Sequence, residues 1–159
     1  MKNGKTKRLF SILVTLILFT FSIHAKEPLS YQKIVELDGF SKHELYAAVC
    51  QTLAKMYYSS KSAIQYQDAE TGTIISNCHE KIKFNFVVAP TDFKMTINVK
   101  DGKIRITFSE ISFTVTVGKA SSTSYITNEK ALNDFKKEGD KIIATLIDGI
   151  KNKSVSDDW

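Results

Sequence analysis

Residues 93–117 read FKMTINVKDGKIRITFSEISFTVTV, and this stretch decides the fold class. Apolar and polar side chains alternate on both sides of Asp101-Gly102, which is the period of a strand with one buried face. An Asp-Gly pair between two such runs is the strongest short signal for a β-hairpin. The apolar positions shift by one residue after Ser109, so a β-bulge is predicted near Ser109 and Glu110. Two long antiparallel strands are therefore expected.

The same period of two continues toward the N-terminus. Residues 64–67 alternate as a short strand, and residues 73–88 alternate over a longer one, with Glu80 as a polar exception on its apolar side. Residues 89–92 (APTD) are composed of turn formers. Residues 33–40 are rich in β-forming side chains and predict a first strand.

Two helices complete the pattern. Ser41 and Glu44 have the spacing of a capping box, which predicts a helix over residues 42–58. A second apolar stripe runs to Ile150 from a helix start at Thr127 or Asn128, after a small-residue loop at residues 118–124. The predicted fold class is α+β, in the order β-α-β-β-β-β-α. Each strand has one apolar side, so both helices are expected on one face of an antiparallel sheet.

The N-terminus predicts export. Residues 1–25 contain a basic start, an apolar run from Leu9 to Phe21 and a small residue at Ala25, which is the order of a secretory signal peptide. An uncleaved anchor is the alternative, but the run is shorter than the roughly 20 residues that span a bilayer. The predicted organisation is a signal peptide at 1–25, one domain at 26–151 and a polar tail at 152–159. The product is expected in the periplasm or medium, without a stable membrane anchor.

Removal of residues 1–25 also removes most of the basic character. That segment holds four of the 22 Lys and Arg and none of the 17 Asp and Glu, so 18 basic and 17 acidic residues remain. A net charge of +1 does not favour nucleic acid as a partner. The hydrophobic fraction of 43% is that of an ordinary globular domain.

Residues with catalytic or metal-binding chemistry are sparse, and no enzyme activity or cofactor is predicted. Cys78 and His79 are adjacent on a strand and therefore point to opposite faces, which disfavours a shared metal ion. Glu80 and Glu110 are weighed as a paired acid site, although a strand edge or bulge accounts for both. Cys50 and Cys78 are interpreted either as a disulfide or as two buried thiols.

The polar side of the sheet is the candidate binding face, for an unknown protein, glycan or small-molecule partner. A solvated sheet face without function has the same composition. The candidate residues are Gln65, Gln67, Asn77, His79, Lys81, Lys83, Lys94 and Arg105. The alternative is a small-molecule carrier with an apolar cavity under the C-terminal helix, lined by Tyr66, Phe84, Phe86, Phe108 and Phe113. A secreted inhibitor of a hydrolase belongs with the first hypothesis.

Three segments carry a resemblance to a known family: FSKHELY at 40–46, AIQYQD at 63–68 with Gly72, and VKDGKIR at 99–105. Together they resemble a family of bacterial exported domains of unknown function with a TATA-binding-protein-like (TBP-like) fold, over residues 33–117. The resemblance implies that fold and an exported bacterial setting. It implies no activity, no active-site residues and no DNA binding, because a fold does not determine a function.

Overall fold

The computed structural model describes residues 26–57 and 64–154. Within these ranges it has six strands and two helices. Their bounds are β1 Tyr31–Glu36, α1 Lys42–Met56, β2 Ile64–Asp68, β3 Thr73–Phe84, β4 Val87–Lys100, β5 Lys103–Val117, β6 Ala120–Tyr125 and α2 Glu129–Ser154. The predicted signal peptide at 1–25, Tyr58 and residues 155–159 lie outside the described residues.

The strands form one antiparallel sheet in the order β1-β5-β4-β3-β2. β5 is long enough to have two neighbours on one side. Its first half pairs with β1 from Phe108 back to Lys103, and its second half pairs with β6 from Ser112 to Val117. Both helices contact the sheet and each other. The predicted α+β fold with its antiparallel meander is confirmed.

The core lies between the sheet and the helices. β4 and β5 contribute the alternating apolar residues that the sequence predicts, and α2 covers them. Phe93, Phe108 and Phe135 stack edge to face, with ring centroids 5.3–5.6 Å apart. Phe108 and Phe135 are fully buried. Such T-shaped pairs contribute about 0.5–1.5 kcal/mol each beyond the area that they bury.

The predicted β-bulge is present. Asp92 pairs with Ser112 but Lys94 pairs with Ser109, so β5 has one extra residue opposite Phe93. Glu110 takes that position with a φ of 52°. The extra residue restores the apolar side chains beyond it, including Ile111, to the helix side.

The predicted end of β3 is wrong. The strand ends at Phe84, and β4 already begins at Val87 after a two-residue turn. Asn85 in this turn has a φ of 52°, which Asn adopts more readily than most residues. Its N–H donates to Asp134 Oδ2 of α2 at 3.0 Å. Residues 89–92 lie inside β4, and Pro90 is accommodated where β4 pairs with β3 alone.

The predicted loop at 118–124 is instead largely the sixth strand. All six residues of β6 are exposed, so the strand lacks the apolar alternation from which a sequence pattern is recognised. Hydroxyl pairs across the ladder accompany it: Thr114 with Thr123 at 2.8 Å and Thr116 with Ser121 at 2.9 Å. The turn before it uses Gly118 at a φ of 63°.

The predicted helix starts are confirmed. Ser41 accepts the Glu44 N–H, while Glu44 accepts the Ser41 N–H at 2.8 Å, so the capping box is complete. Asn128 Oδ1 accepts the Ala131 N–H at 2.9 Å at the start of α2. α2 continues to Ser154, into the predicted polar tail.

The β2–β3 turn and the β4–β5 turn both contact the start of α1. Asp101 Oδ1 accepts the Lys42 N–H at 2.7 Å, and the Gly102 N–H donates to the Phe40 carbonyl at 2.9 Å. The Lys42 ammonium donates to the Glu70 carbonyl. The three segments that carry the family resemblance therefore meet at this end of the sheet.

Gly149 of α2 lies against Thr52 of α1, with no space for a Cβ. A Cβ at this position would lie 2.3 Å from Thr52 Cγ2. We expect Gly149→Ala to lower the free energy of unfolding by about 1–3 kcal/mol, because the overlap must be relieved by shifting packed helices. Urea unfolding followed by circular dichroism measures this.

The second substitution Thr52→Ser removes the overlapping methyl group and is expected to restore part of the stability of Gly149→Ala. Gly139→Ala is the matched control on the same helix, since its Cβ would lie 3.3 Å from Tyr31 Cδ1. Equal losses in Gly139→Ala and Gly149→Ala would contradict the assignment of the close contact to Thr52.

Asp140 joins α2 to β1. Its Oδ1 accepts hydrogen bonds from the Lys33 ammonium at 2.6 Å and from the Tyr31 hydroxyl at 2.7 Å. The bonds from Lys33 and Tyr31 lower the pKa of Asp140 below its usual range. Burial, followed by the bond to Asp140, raises the pKa of Tyr31 to about 12.

This cluster has a defined pH dependence. Because folding lowers the pKa of Asp140, this residue contributes to the free energy of unfolding above its unfolded pKa. The contribution is lost as the pH falls through the folded pKa. We therefore expect Asp140→Asn to lose less stability than the wild type between pH 5 and pH 3. The difference is under about 1 kcal/mol, since the pair is half exposed. Asp148→Asn on the same helix is the control and should follow the wild type.

Candidate binding face on the open side of the sheet

The side of the sheet that faces away from both helices is called the open face here. On β3, the buried residues Ile74, Cys78 and Ile82 face the helices, so the odd-numbered residues of the strand point the other way. Their partners on β4 and β5 share that face. Six of the eight candidate residues lie on it: Asn77, His79, Lys81, Lys83, Lys94 and Arg105.

The prediction for β2 is partly wrong. Its ladder with β3 shifts between Ile64 and Tyr66, so Tyr66 pairs with Ile75 on the open face. Gln67 pairs with Ile74 and lies on the helix side, where its Oε1 is 3.9 Å from Cys50 Sγ. Gln65 is exposed at the irregularity itself. Alternation alone does not reveal a bulge in a strand of five residues.

Carboxylates lie beside two of the candidate residues on the open face. His79 Nδ1 lies 2.7 Å from Asp92 Oδ1 on the neighbouring strand. The Lys94 ammonium is bonded to Glu110, which the bulge presents on this side. Glu80 pairs with Thr91 and faces the helices. Glu80 and Glu110 are thus on opposite sides of the sheet, and they do not form the paired acid site considered from the sequence.

A depression of about 270 Å³ lies on the open face between β1, β4 and β5. We call it the basic depression. The side chains around it are Ile34, Glu36, Asn98, Lys100, Lys103 and Arg105. The ladder places Lys100 opposite Lys103, and Arg105 between Asn98 and Ile34.

Arg105 is held in place within the depression. Asn98 Oδ1 accepts hydrogen bonds from its Nε at 3.3 Å and its Nη2 at 3.0 Å. Sequence reasoning identified Arg105 but missed Lys100 and Lys103. Their signal is the hairpin itself: the two residues that flank a two-residue turn pair directly and therefore share a face. Ile34 and Glu36 join them only through the pairing of β1 with β5, which sequence alone does not specify.

A second pocket, of about 280 Å³, lies on the helix side near the end of α1. The residues that line it are Met56, Tyr57, Glu80, Glu138, Lys141, Ile142 and Thr145. The aromatic residues predicted to line a carrier cavity lie elsewhere. Phe108 is in the packed core, Phe84 packs on Phe113 with ring centroids 5.2 Å apart, Phe86 is 97% exposed in a turn, and Tyr66 is on the open face.

Both cysteines are free thiols in the structure. Each thiol interacts with a neighbouring tyrosine: Cys50 with Tyr46, and Cys78 with Tyr57. Burial raises the pKa of the Cys78 thiol to about 11, and burial also raises the pKa of Cys50. Cys78 is buried while the adjacent His79 is exposed on the other face, as the strand geometry predicts. The disulfide considered from the sequence is not formed.

Thiol labelling tests this arrangement. Denaturation without reductant is expected to give two reactive thiols per chain. In the native protein at pH 8, Cys50 should react before Cys78, because Cys78 is 4% exposed and its raised pKa leaves little thiolate. Cys50→Ala is the control and should remove the faster phase. Absence of reactive thiols in the denatured protein would contradict the structure.

A sheet of this order with two helices on one face defines the class of TBP-like α+β domains. Residues 31–114 match the family model DUF4468, a domain of unknown function with a TBP-like fold. Because the match spans more than half of the chain, the protein belongs to the DUF4468 family. The resemblance inferred from the three sequence segments is confirmed.

Two solved structures share the fold. A TBP-like protein from Parabacteroides distasonis superposes with a TM-score of 0.66 at 20% identity, covering 79% of this chain and 94% of that one. A DUF4468 family protein from Bacteroides ovatus gives a TM-score of 0.59 at 16% identity, covering 77% and 86%. These likenesses concern the fold alone. A comparison with curated protein sequences found no match.

No helix within the described residues has the length and hydropathy needed to cross a bilayer.

Proposed function

We propose that this protein is an exported, non-enzymatic binding or accessory domain whose partner contacts the open face of the sheet. The observation that carries the proposal is the basic depression. It is a concave site on a broad polar surface, and its cations come from the two longest strands of the sheet. Concave sites with a few convergent polar groups are the usual form of a binding site.

The export part of the proposal rests on residues 1–25. A basic start, an apolar run and a small residue at Ala25 form the order that signal peptidase recognises. The partner would then be met outside the cytoplasm: a protein, a glycan or a small molecule. An inhibitor of a secreted hydrolase is one form that a protein-binding role would take.

A small-molecule carrier is the second candidate. The pocket beside Met56, Tyr57 and Ile142 favours it, because this pocket lies next to α2 on the helix side. The two proposals place the ligand on opposite faces of the sheet. Substitutions on each face therefore separate them.

Native mass spectrometry of protein expressed with residues 1–25 and recovered from the exported fraction tests these proposals. Cleavage after Ala25 is expected, so the intact chain should begin at Lys26. A retained ligand or co-purifying partner should be lost in Lys103→Gln/Arg105→Gln, because both cations line the basic depression. Lys136→Gln/Lys137→Gln on α2 removes the same charge from the helix side and is the matched control.

Thr145→Trp, which places an indole at a residue lining the helix-side pocket, distinguishes the carrier. A ligand lost in Thr145→Trp but retained in Lys103→Gln/Arg105→Gln would favour the carrier and contradict the open-face proposal. Thr96 lies on the open face between Lys94 and Asn98, and a photo-cross-linking residue in its place extends the test to weak partners. A native mass equal to that of the chain alone, together with no cross-link from Thr96, would also contradict a role for the open face.

A further inference from the structure

We infer that the basic depression binds a compact organic anion: a carboxylate or sulfate group joined to an apolar group. The inference rests on the proposed function of the open face as the binding surface. It is carried by the orientation of Arg105, the excess of positive charge around it and the exposed Ile34 beside it.

Arg105 is preorganised to bind an anion. Asn98 Oδ1 accepts hydrogen bonds from Nε and from one hydrogen of Nη2. The end of the guanidinium formed by Nη1 and Nη2 is therefore left to donate to a ligand. That end has two parallel N–H groups, which match the two oxygens of a carboxylate or sulfate. Because Asn98 already restricts the side chain, an anion bound there orders it at a smaller cost in conformational entropy.

The depression has an excess of positive charge. Lys100 and Lys103 stand directly opposite each other in the ladder, and like charges in such pairs are unfavourable. Within residues 26–57 and 64–154, neither of them nor Arg105 forms an ion pair, whereas Lys94 is paired with Glu110. A bound anion reduces the repulsion between the two lysines.

The distribution of charge favours a compact anion over a polyanion. Glu36 lies opposite Lys103 at the rim of the depression and repels a second negative group placed there. Farther along the open face, Asp92 lies beside His79, and Glu110 lies beside Lys94. An extended polyanion such as a nucleic acid would therefore meet carboxylates on both sides of the depression.

Ile34 provides the apolar contact. Its side chain is 55% exposed and lies opposite Arg105 in the ladder between β1 and β5. A cavity of about 150 Å³ holds a benzene ring. The depression, at about 270 Å³, therefore has room for an aromatic or short aliphatic group beside Ile34 while the anion contacts Arg105.

The test is a ¹H–¹⁵N NMR titration of the purified protein with sodium benzoate and with benzamide, its neutral counterpart of the same shape. Benzoate is expected to cause saturable shifts at Ile34, Asn98, Lys103 and Arg105. Benzamide should not saturate these positions. Lys103→Gln/Arg105→Gln should raise the dissociation constant of benzoate at least about tenfold, because charge-assisted hydrogen bonds are lost.

Lys136→Gln/Lys137→Gln removes the same charge from α2, on the helix side, and is the matched control, expected to change the dissociation constant less than twofold. Lys100→Gln is a second, milder variant in case the double variant alters the fold, and it should weaken benzoate binding several-fold. Equal responses to benzoate and benzamide, equal weakening in the control, or shifts confined to other parts of the protein would overturn the inference. A native ligand lost in Lys103→Gln/Arg105→Gln without any response to benzoate would overturn the ligand class and leave the open-face proposal intact.

Discussion

The contact between the β4–β5 turn and the start of α1 is the constraint on which the rest of the structure depends. The first N–H groups of a helix have no partners within the helix. Here Asp101 accepts the N–H of Lys42, and the turn also bonds to the chain just before the helix through Gly102 and Phe40. One short turn thus closes the central hairpin and fixes where α1 lies on the sheet.

The β2–β3 turn completes this end of the molecule. Gly72 accepts the Val99 N–H through its carbonyl at 2.8 Å, and a Cβ on Gly72 would lie 2.6 Å from the Val99 carbonyl oxygen. The position therefore requires glycine for its close approach as well as for its φ of 73°. With three loops joined, α1 is placed on one face, and α2 packs beside it through Gly149. The opposite face is left open along the central strands.

The same turn places the charges of the candidate site. Because Asp101 and Gly102 close a two-residue hairpin, Lys100 and Lys103 must pair, and they share the open face. The hairpin therefore bonds to the start of α1 through its turn and presents Lys100 and Lys103 on the open face. The TBP-like fold of the family does not supply a function, so the case for an anionic ligand depends on these particular side chains.

The sequence by itself determined the elements of the fold that depend on local interactions. The Asp101-Gly102 hairpin, the capping box at Ser41 and the bulge at Glu110 are each specified by neighbouring residues, and each is present in the structure. Tertiary structure alone decided the rest. β6 has no apolar pattern because both of its sides are exposed, and β2 changes parity at a bulge that alternation does not reveal. The basic depression forms only when β1 pairs with β5 and brings Ile34 beside Arg105, a pairing across some 70 residues that is determined by the packing of the whole sheet.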